Sequence, residues 1–142
     1  MPPLLFTHPD CLRHDPGHDH PETPQRLGVL LQKVRSAGVA EVREASAAPI
    51  EPLLAVHPRP YLESLQAMSA RGGGALFLDT ILDGSSWAAV LGATGAALAA
   101  VDSALEGRGH AFAAVRPPGH HALEARGMGF CLTNNAVVAA RH

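Results

Sequence analysis

Apolar residues along the chain recur with two different periods, which predict alternating strands and helices. In the segment 26–37, branched apolar residues recur at helical spacing, so this segment is predicted to form a helix that ends at Gly38. Short apolar runs at 4–7, 39–45 and 110–115 predict strands. Further helices are predicted over 49–57, from Pro60 onward, over 87–105 and from Asn134 onward. Ser85 or Ser86 is expected to cap the helix over 87–105. The pattern favours an α/β protein.

The segment 87–105 is rich in alanine and apolar on nearly every side, which is typical of a buried helix. We interpret it as a helix that crosses between strands rather than a membrane span, because Asp102 lies within it and polar segments flank it. The run 110–115 combines aromatic and β-branched residues, so it is expected to be a strand buried on both faces of a parallel sheet. The glycine-rich segment 71–74 lacks the lysine of a phosphate-binding loop and is predicted to be a flexible surface loop.

Composition narrows the class of protein further. A chain of 142 residues with 46% apolar residues suits one globular domain with a core of its own. The formal net charge of −2 gives no electrostatic reason to expect nucleic acid or an anionic membrane as a partner. Two cysteines are too few for a disulfide framework, and no leader-like segment is evident at the amino terminus, so a reducing cytoplasm is expected.

Candidate chemistry concentrates just after the predicted strand 110–115. Two prolines end that strand and deliver His120 and His121 onto a loop at its carboxyl end, where open α/β sheets bind ligands. Gly129 would let backbone approach a bound molecule, and Phe130 would add a flat apolar wall beside it. Paired histidines in a loop are often only solvated; beside such a wall they indicate proton transfer on a slender substrate.

A second group of histidines lies in the segment 8–24, where His14, His18 and His20 alternate with carboxylates and prolines. Such a composition could form a metal-binding or interaction module. The prolines, however, prevent a helix or strand from fixing ligand geometry, and zinc sites need ligands that are held rigidly. A solvated loop at the rim of a site is the preferred interpretation, and the isolated His57 is predicted to be structural.

Two strings of residues resemble the histone deacetylase superfamily, with bacterial class II-type deacetylases and acetylpolyamine amidohydrolases as the nearest branch. The first is Arg-Pro-Pro-Gly-His-His-Ala at 116–122, followed by Gly-Phe-Cys-Leu-Thr-Asn-Asn at 129–135. The second is His-Pro-Glu-Thr-Pro-Gln-Arg-Leu at 20–27. The resemblance implies a three-layer α/β/α fold with a mainly parallel sheet, of the arginase/deacetylase type. It also implies that residues 1–142 are the amino-terminal part of a single deacetylase domain.

The resemblance further implies a role for individual residues. His121 would be the principal general base of a histidine pair, and His120 its electrostatic partner. Gly129 would offer its carbonyl to the substrate amide, Phe130 would form a tunnel wall, and Asp79 would be an acid at the rim. Arg26 would lie near an internal channel, and Cys131 would pack the pocket floor.

In that superfamily Zn²⁺ is held by an Asp-x-His pair and a further Asp, which would lie beyond this chain. The resemblance thus implies a zinc-dependent deacetylase acting on acetylated protein or a small acetylated amine, with no metal ligand within these residues and no activity of the chain alone. An unpaired sheet edge would make an oligomer possible. A cysteine nucleophile at Cys131 is an alternative, disfavoured because buried thiols are usually inert.

Overall fold

The computed structural model describes residues 2–142 and contains a parallel sheet of three strands. Strand β1 (Leu4–Thr7) lies at the centre, flanked by β2 (Glu41–Glu44) and β5 (Ala111–Ala113). Both neighbours run parallel to β1, with Leu5 opposite Val42 on one side and opposite Phe112 on the other. Parallel neighbours need long crossover connections, which the helices provide.

The helices follow the apolar periodicity of the sequence. After a single 3₁₀ turn at Pro9–Leu12, they are α1 (Pro24–Ala37), α2 (Glu51–Leu54), α3 (Arg59–Ala70), α4 (Ser86–Leu105) and α5 (Asn135–Arg141). Gly38 ends α1 with a left-handed φ of 63°, as the sequence predicted. Asn134 begins α5, where its side chain accepts a hydrogen bond from the amide of Val137.

Alternate residues of β1 face different helices, which produces the three layers. Leu5 packs against Leu27 and Leu31 of α1. Leu4 and Phe6 point the other way and pack with Ala96 of α4. Since successive side chains of a strand point to opposite faces, one fully buried strand requires a helix on each side. The predicted α/β/α arrangement around a mainly parallel sheet is confirmed.

The largest apolar cluster lies away from the sheet, where α3, α4 and α5 meet. Its fully buried members include Leu62, Leu65, Val90 and Leu132. By length and composition alone α4 could cross a membrane. Within the fold, however, it contacts β1, β5 and α5.

Three local predictions need correction. Gly73 and Gly74 are not in a flexible loop: they open β3 (Gly73–Phe77), which pairs antiparallel with β4 (Thr80–Asp83). Strand β5 is not buried on both faces, since it is the edge of the sheet among residues 2–142 and Phe112 is 59% exposed. Ser85 does stand at the start of α4, but its side chain makes no capping hydrogen bond because its hydroxyl donates to Asp83.

Candidate active site

The loop that follows β5 carries His120 and His121 to the surface. Both side chains are exposed, and their ring centroids lie 4.1 Å apart with the ring planes inclined by 43°. Neither ring nitrogen of His121 has a hydrogen-bond partner within residues 2–142, so both remain available to a bound molecule.

Beneath this pair, the buried thiol of Cys131 holds the loop backbone. The amides of His120 and His121 both donate to Cys131 Sγ at 3.4 Å. The thiol in turn donates to the carbonyl of Gly129, also at 3.4 Å. A carbonyl oxygen has two lone pairs, so Gly129 keeps one for another donor.

A second support comes from His57, which the sequence predicted to be structural. His57 is 1% exposed and bonds only to backbone: its Nε2 accepts from the amide of Asn134, and its Nδ1 donates to the carbonyl of Glu124. Burial lowers the pKa of His57, in part offset by the carbonyl of Glu124. The Asn134 side chain then donates to the carbonyl of Ala122, directly after the histidine pair.

Arg116 anchors the start of the same loop, and sequence reasoning assigned it no role. Its guanidinium is buried and bonds Glu22 bidentately, with N–O distances of 2.6 and 2.7 Å. The remaining three N–H groups donate to backbone carbonyls, at Cys11, His14 and Glu22. All five donors of the arginine are therefore satisfied. The sequence did offer one signal for this pairing: Arg116 lies in the string 116–122 and Glu22 in the string 20–27, and both strings resemble the same superfamily.

The same anchor includes His14, which is 2% exposed and has its Nδ1 2.8 Å from the Ser86 hydroxyl. Because that hydroxyl donates its own proton to Asp83, it accepts from His14. Burial, followed by the charge of Arg116, lowers the pKa of His14 to about 4. Glu22 lies 3.7 Å from His14 Nε2, but its carboxylate is already paired with Arg116. His14 is therefore neutral at pH 7.

The turn at 128–131 carries Gly129 and Phe130. Met128 and Cys131 exchange two backbone hydrogen bonds of 3.0 Å, while φ is 56° at Gly129 and 68° at Phe130. Two positive φ values are the mark of a type I′ hairpin turn. A side chain at Gly129 would also approach the ring of His121 to 2.8 Å, so this position requires glycine on two grounds.

These elements line an open cavity of about 680 Å³. Five of the predicted site residues line it: His120, His121, Gly129, Phe130 and, from α1, Arg26. Asp79 and Cys131 do not line it. Asp79 is exposed on the hairpin between β3 and β4, and Cys131 is completely buried behind the loop.

The histidines of the segment 8–24 do not converge. His14 is buried against Ser86, the side chain of His18 is 99% exposed beside Asp19, and His20 bonds the carbonyl of Asp79. Within residues 2–142 no group of three or more His, Cys, Asp or Glu side chains is arranged to hold a metal ion. The arrangement supports a rim and an anchor rather than a metal-binding module.

Comparison with known proteins adds a family to this geometry. Residues 20–142 match the profile of the histone deacetylase domain. The chain is 41% identical over 133 residues to a histone deacetylase-like amidohydrolase of Pseudomonas aeruginosa. The aligned region covers 89% of the chain and 35% of that protein. It is 34% identical to a probable deacetylase of Methanothermobacter thermautotrophicus, over 91% of the chain and 41% of that protein.

A solved structure agrees with the sequence matches. The crystal structure of the HDA15 HD domain superposes with a TM-score of 0.89 at 31% identity and covers 97% of this chain. The chain in turn covers 43% of that domain, so it spans less than half the length of the proteins that it matches here.

Proposed function

The chain belongs to the histone deacetylase family, and on this premise we propose that it contributes the general-base side of a hydrolase that removes acetyl groups from acetyl-lysine or another acetylated amine. One observation carries the proposal. Two adjacent, exposed imidazoles border a cavity of about 680 Å³ while their backbone is held rigidly from below. A general base needs both an accessible nitrogen and a fixed position.

Each residue of the wall has a distinct part in this proposal. His121 takes a proton from the water whose oxygen attacks the acetyl carbon, and one histidine of the pair returns a proton to the amine nitrogen as the C–N bond breaks. His120, beside His121, is its electrostatic partner. Gly129 offers the free lone pair of its carbonyl to the substrate amide N–H. Phe130 forms an apolar wall for an aliphatic stem, and Arg26 lines the same cavity from α1.

Zinc belongs to the proposal only as a cofactor of the complete domain. The donor set within residues 2–142 does not fit the ion, because His120 and His121 have no third ligand near them. We therefore propose that the metal ligands lie outside this range. The cytoplasm is the proposed location, because both cysteines are unpaired thiols.

The test is hydrolysis of a fluorogenic acetyl-lysine peptide, together with the zinc content of the same samples. Both are measured on residues 1–142 and on the natural protein at its full length. The proposal expects metal and activity in the full-length protein and neither in residues 1–142. Stoichiometric zinc in residues 1–142 would contradict this assignment of the ligands, and no hydrolysis at full length would contradict the proposed activity.

A further inference from the structure

We propose that Thr80 and His20 are positioning residues that hold Phe130 in place. The Thr80 hydroxyl holds the backbone of Phe130 and the His20 ring holds its side chain, and we call this pair of contacts the clamp. The inference rests on the proposed function, since it concerns the wall that Phe130 presents to an aliphatic substrate stem. The two clamp residues come from separate segments, β4 and the loop before α1. Thr80 contacts the backbone of Phe130 and His20 contacts its ring.

The backbone half of the clamp is a hydrogen bond to a buried hydroxyl. Thr80 is 0% exposed, and its Oγ1 accepts from the amide of Phe130 at 3.1 Å. Phe130 has a φ of 68°, which is unfavourable for a residue with a large side chain. A conformation of this kind persists only where its surroundings fix it, and the Thr80 hydroxyl supplies such a contact.

The ring half of the clamp is an edge-to-face contact. The rings of His20 and Phe130 have centroids 4.8 Å apart and an interplanar angle of 71°. This geometry is favoured by aromatic quadrupoles and stabilises a pair beyond the area that it buries.

His20 is itself immobilised at both ring nitrogens. Its Nδ1 accepts from the amide of Glu22 at 3.0 Å, and its Nε2 donates to the carbonyl of Asp79 at 2.6 Å. The imidazole is therefore a fixed support for Phe130 rather than a mobile rim residue. Through its bond to the Asp79 carbonyl, His20 also connects to the residue that precedes Thr80 in the chain.

Paired variants separate this role from a general structural one. Thr80→Val removes the acceptor but keeps the shape, and Thr80→Ser keeps the hydroxyl. His20→Ala removes the ring, and His20→Phe restores a ring without the hydrogen bonds. His18→Ala is the matched control, because the His18 side chain is 99% exposed and has no contact with the wall.

In the full-length protein, Thr80→Val and His20→Ala should each raise KM for the acetyl-lysine peptide about three- to tenfold, as expected for one hydrogen bond or one aromatic pair. The kcat should stay within about twofold, as for an interaction made equally in the ground and transition states. Thr80→Ser and His18→Ala should match the wild type, and His20→Phe should recover part of the loss, because it restores the ring but not the hydrogen bonds that fix it. An unchanged KM in Thr80→Val and His20→Ala, or a lowered kcat that Thr80→Ser and His20→Phe fail to restore, would overturn the clamp.

A readout without activity keeps the clamp distinguishable from the proposed function. Amide hydrogen exchange at Phe130, followed by NMR, should be at least about tenfold faster in Thr80→Val than in wild type or Thr80→Ser, since loss of a buried hydrogen bond of this strength opens the site. Equal exchange in all three proteins would refute the clamp. Absence of hydrolysis in the wild type with the expected exchange pattern would refute only the deacetylase assignment.

Discussion

Two pairs of histidines in this fold differ in what surrounds them. His14 and His57 are almost completely buried and bond to protein groups. His120 and His121 are exposed. Their backbone amides bond to the thiol of Cys131, which also lies 4.0 Å from Nδ1 of His120. The same residue type therefore serves stability in one region and remains available for proton transfer in the other, and the difference lies in the partners.

The largest effect is expected at the exposed pair. His121→Ala should lower kcat for the acetyl-lysine peptide about 100- to 10,000-fold, the range of a lost general base. His120→Ala should lower it less, because this ring acts on the base rather than on the proton. Steady-state kinetics of both variants in the full-length protein checks the order, and an equal or reversed order would contradict the assignment of His121 as base.

The next effect is expected at the buried anchor. Arg116→Met should lower the free energy of unfolding by about 3–5 kcal/mol, because it leaves the Glu22 carboxylate buried without its partner. Arg13→Met is the control, since Arg13 forms an exposed ion pair with Asp10 and such pairs contribute less than about 1 kcal/mol. Urea unfolding measures both. Similar losses in the two variants would show that the anchor is not a buried pair in solution.

A pH effect should follow at His14. Its pKa is about 4 when folded and about 6.5 when unfolded, so below pH 6.5 the unfolded chain binds more protons. Stability should be complete above pH 6.5 and fall as the pH drops to 4, by on the order of 3 kcal/mol from this group. His57, whose pKa is also lowered, acts in the same direction.

Urea unfolding between pH 4 and 7 tests this effect. His14→Asn can still donate to Ser86 but does not titrate, so its stability should depend less on pH than that of the wild type. His18→Asn, at an exposed position, should keep the wild-type dependence. An identical slope for His14→Asn and wild type would mean that His14 is not held neutral.

The smallest effect is expected at Tyr61, whose hydroxyl donates to the carbonyl of Leu132 at 2.6 Å. Burial raises the pKa of this phenol well above its usual value. Tyr61→Phe should cost about 1–3 kcal/mol of stability, since the buried carbonyl loses its donor. Activity should be unchanged within about twofold; a large loss of kcat would show that this bond shapes the histidine loop.

Much of the fold could be predicted from local patterns, because β1, α1 and α4 each carry a continuous periodic signal. The hairpin of β3 and β4 was missed because three glycines mask its alternation, and only pairing with the partner strand makes Gly73 and Gly74 a strand. The burial predicted for β5 was wrong because a short apolar run does not reveal whether the strand is central or at an edge.

At the site, the string 116–122 was enough to predict the exposed histidine pair, but not what supports it. Arg116 and Glu22 are 94 residues apart in sequence, and Thr80 is 50 residues from Phe130. No local period encodes such contacts. The roles of the individual site residues remain predictions, whereas the structure places all of them except Asp79 and Cys131 around one cavity.

The most direct test of the division between the two pairs is a side-by-side comparison of His121→Ala and His14→Asn at pH 7. Deacetylation of the acetyl-lysine peptide and the free energy of unfolding are measured on the same samples of full-length protein. We expect His121→Ala to lose activity at wild-type stability, and His14→Asn to lose stability but, while folded, to keep its kcat. Full activity in His121→Ala, or a loss there that merely follows unfolding, would contradict this division.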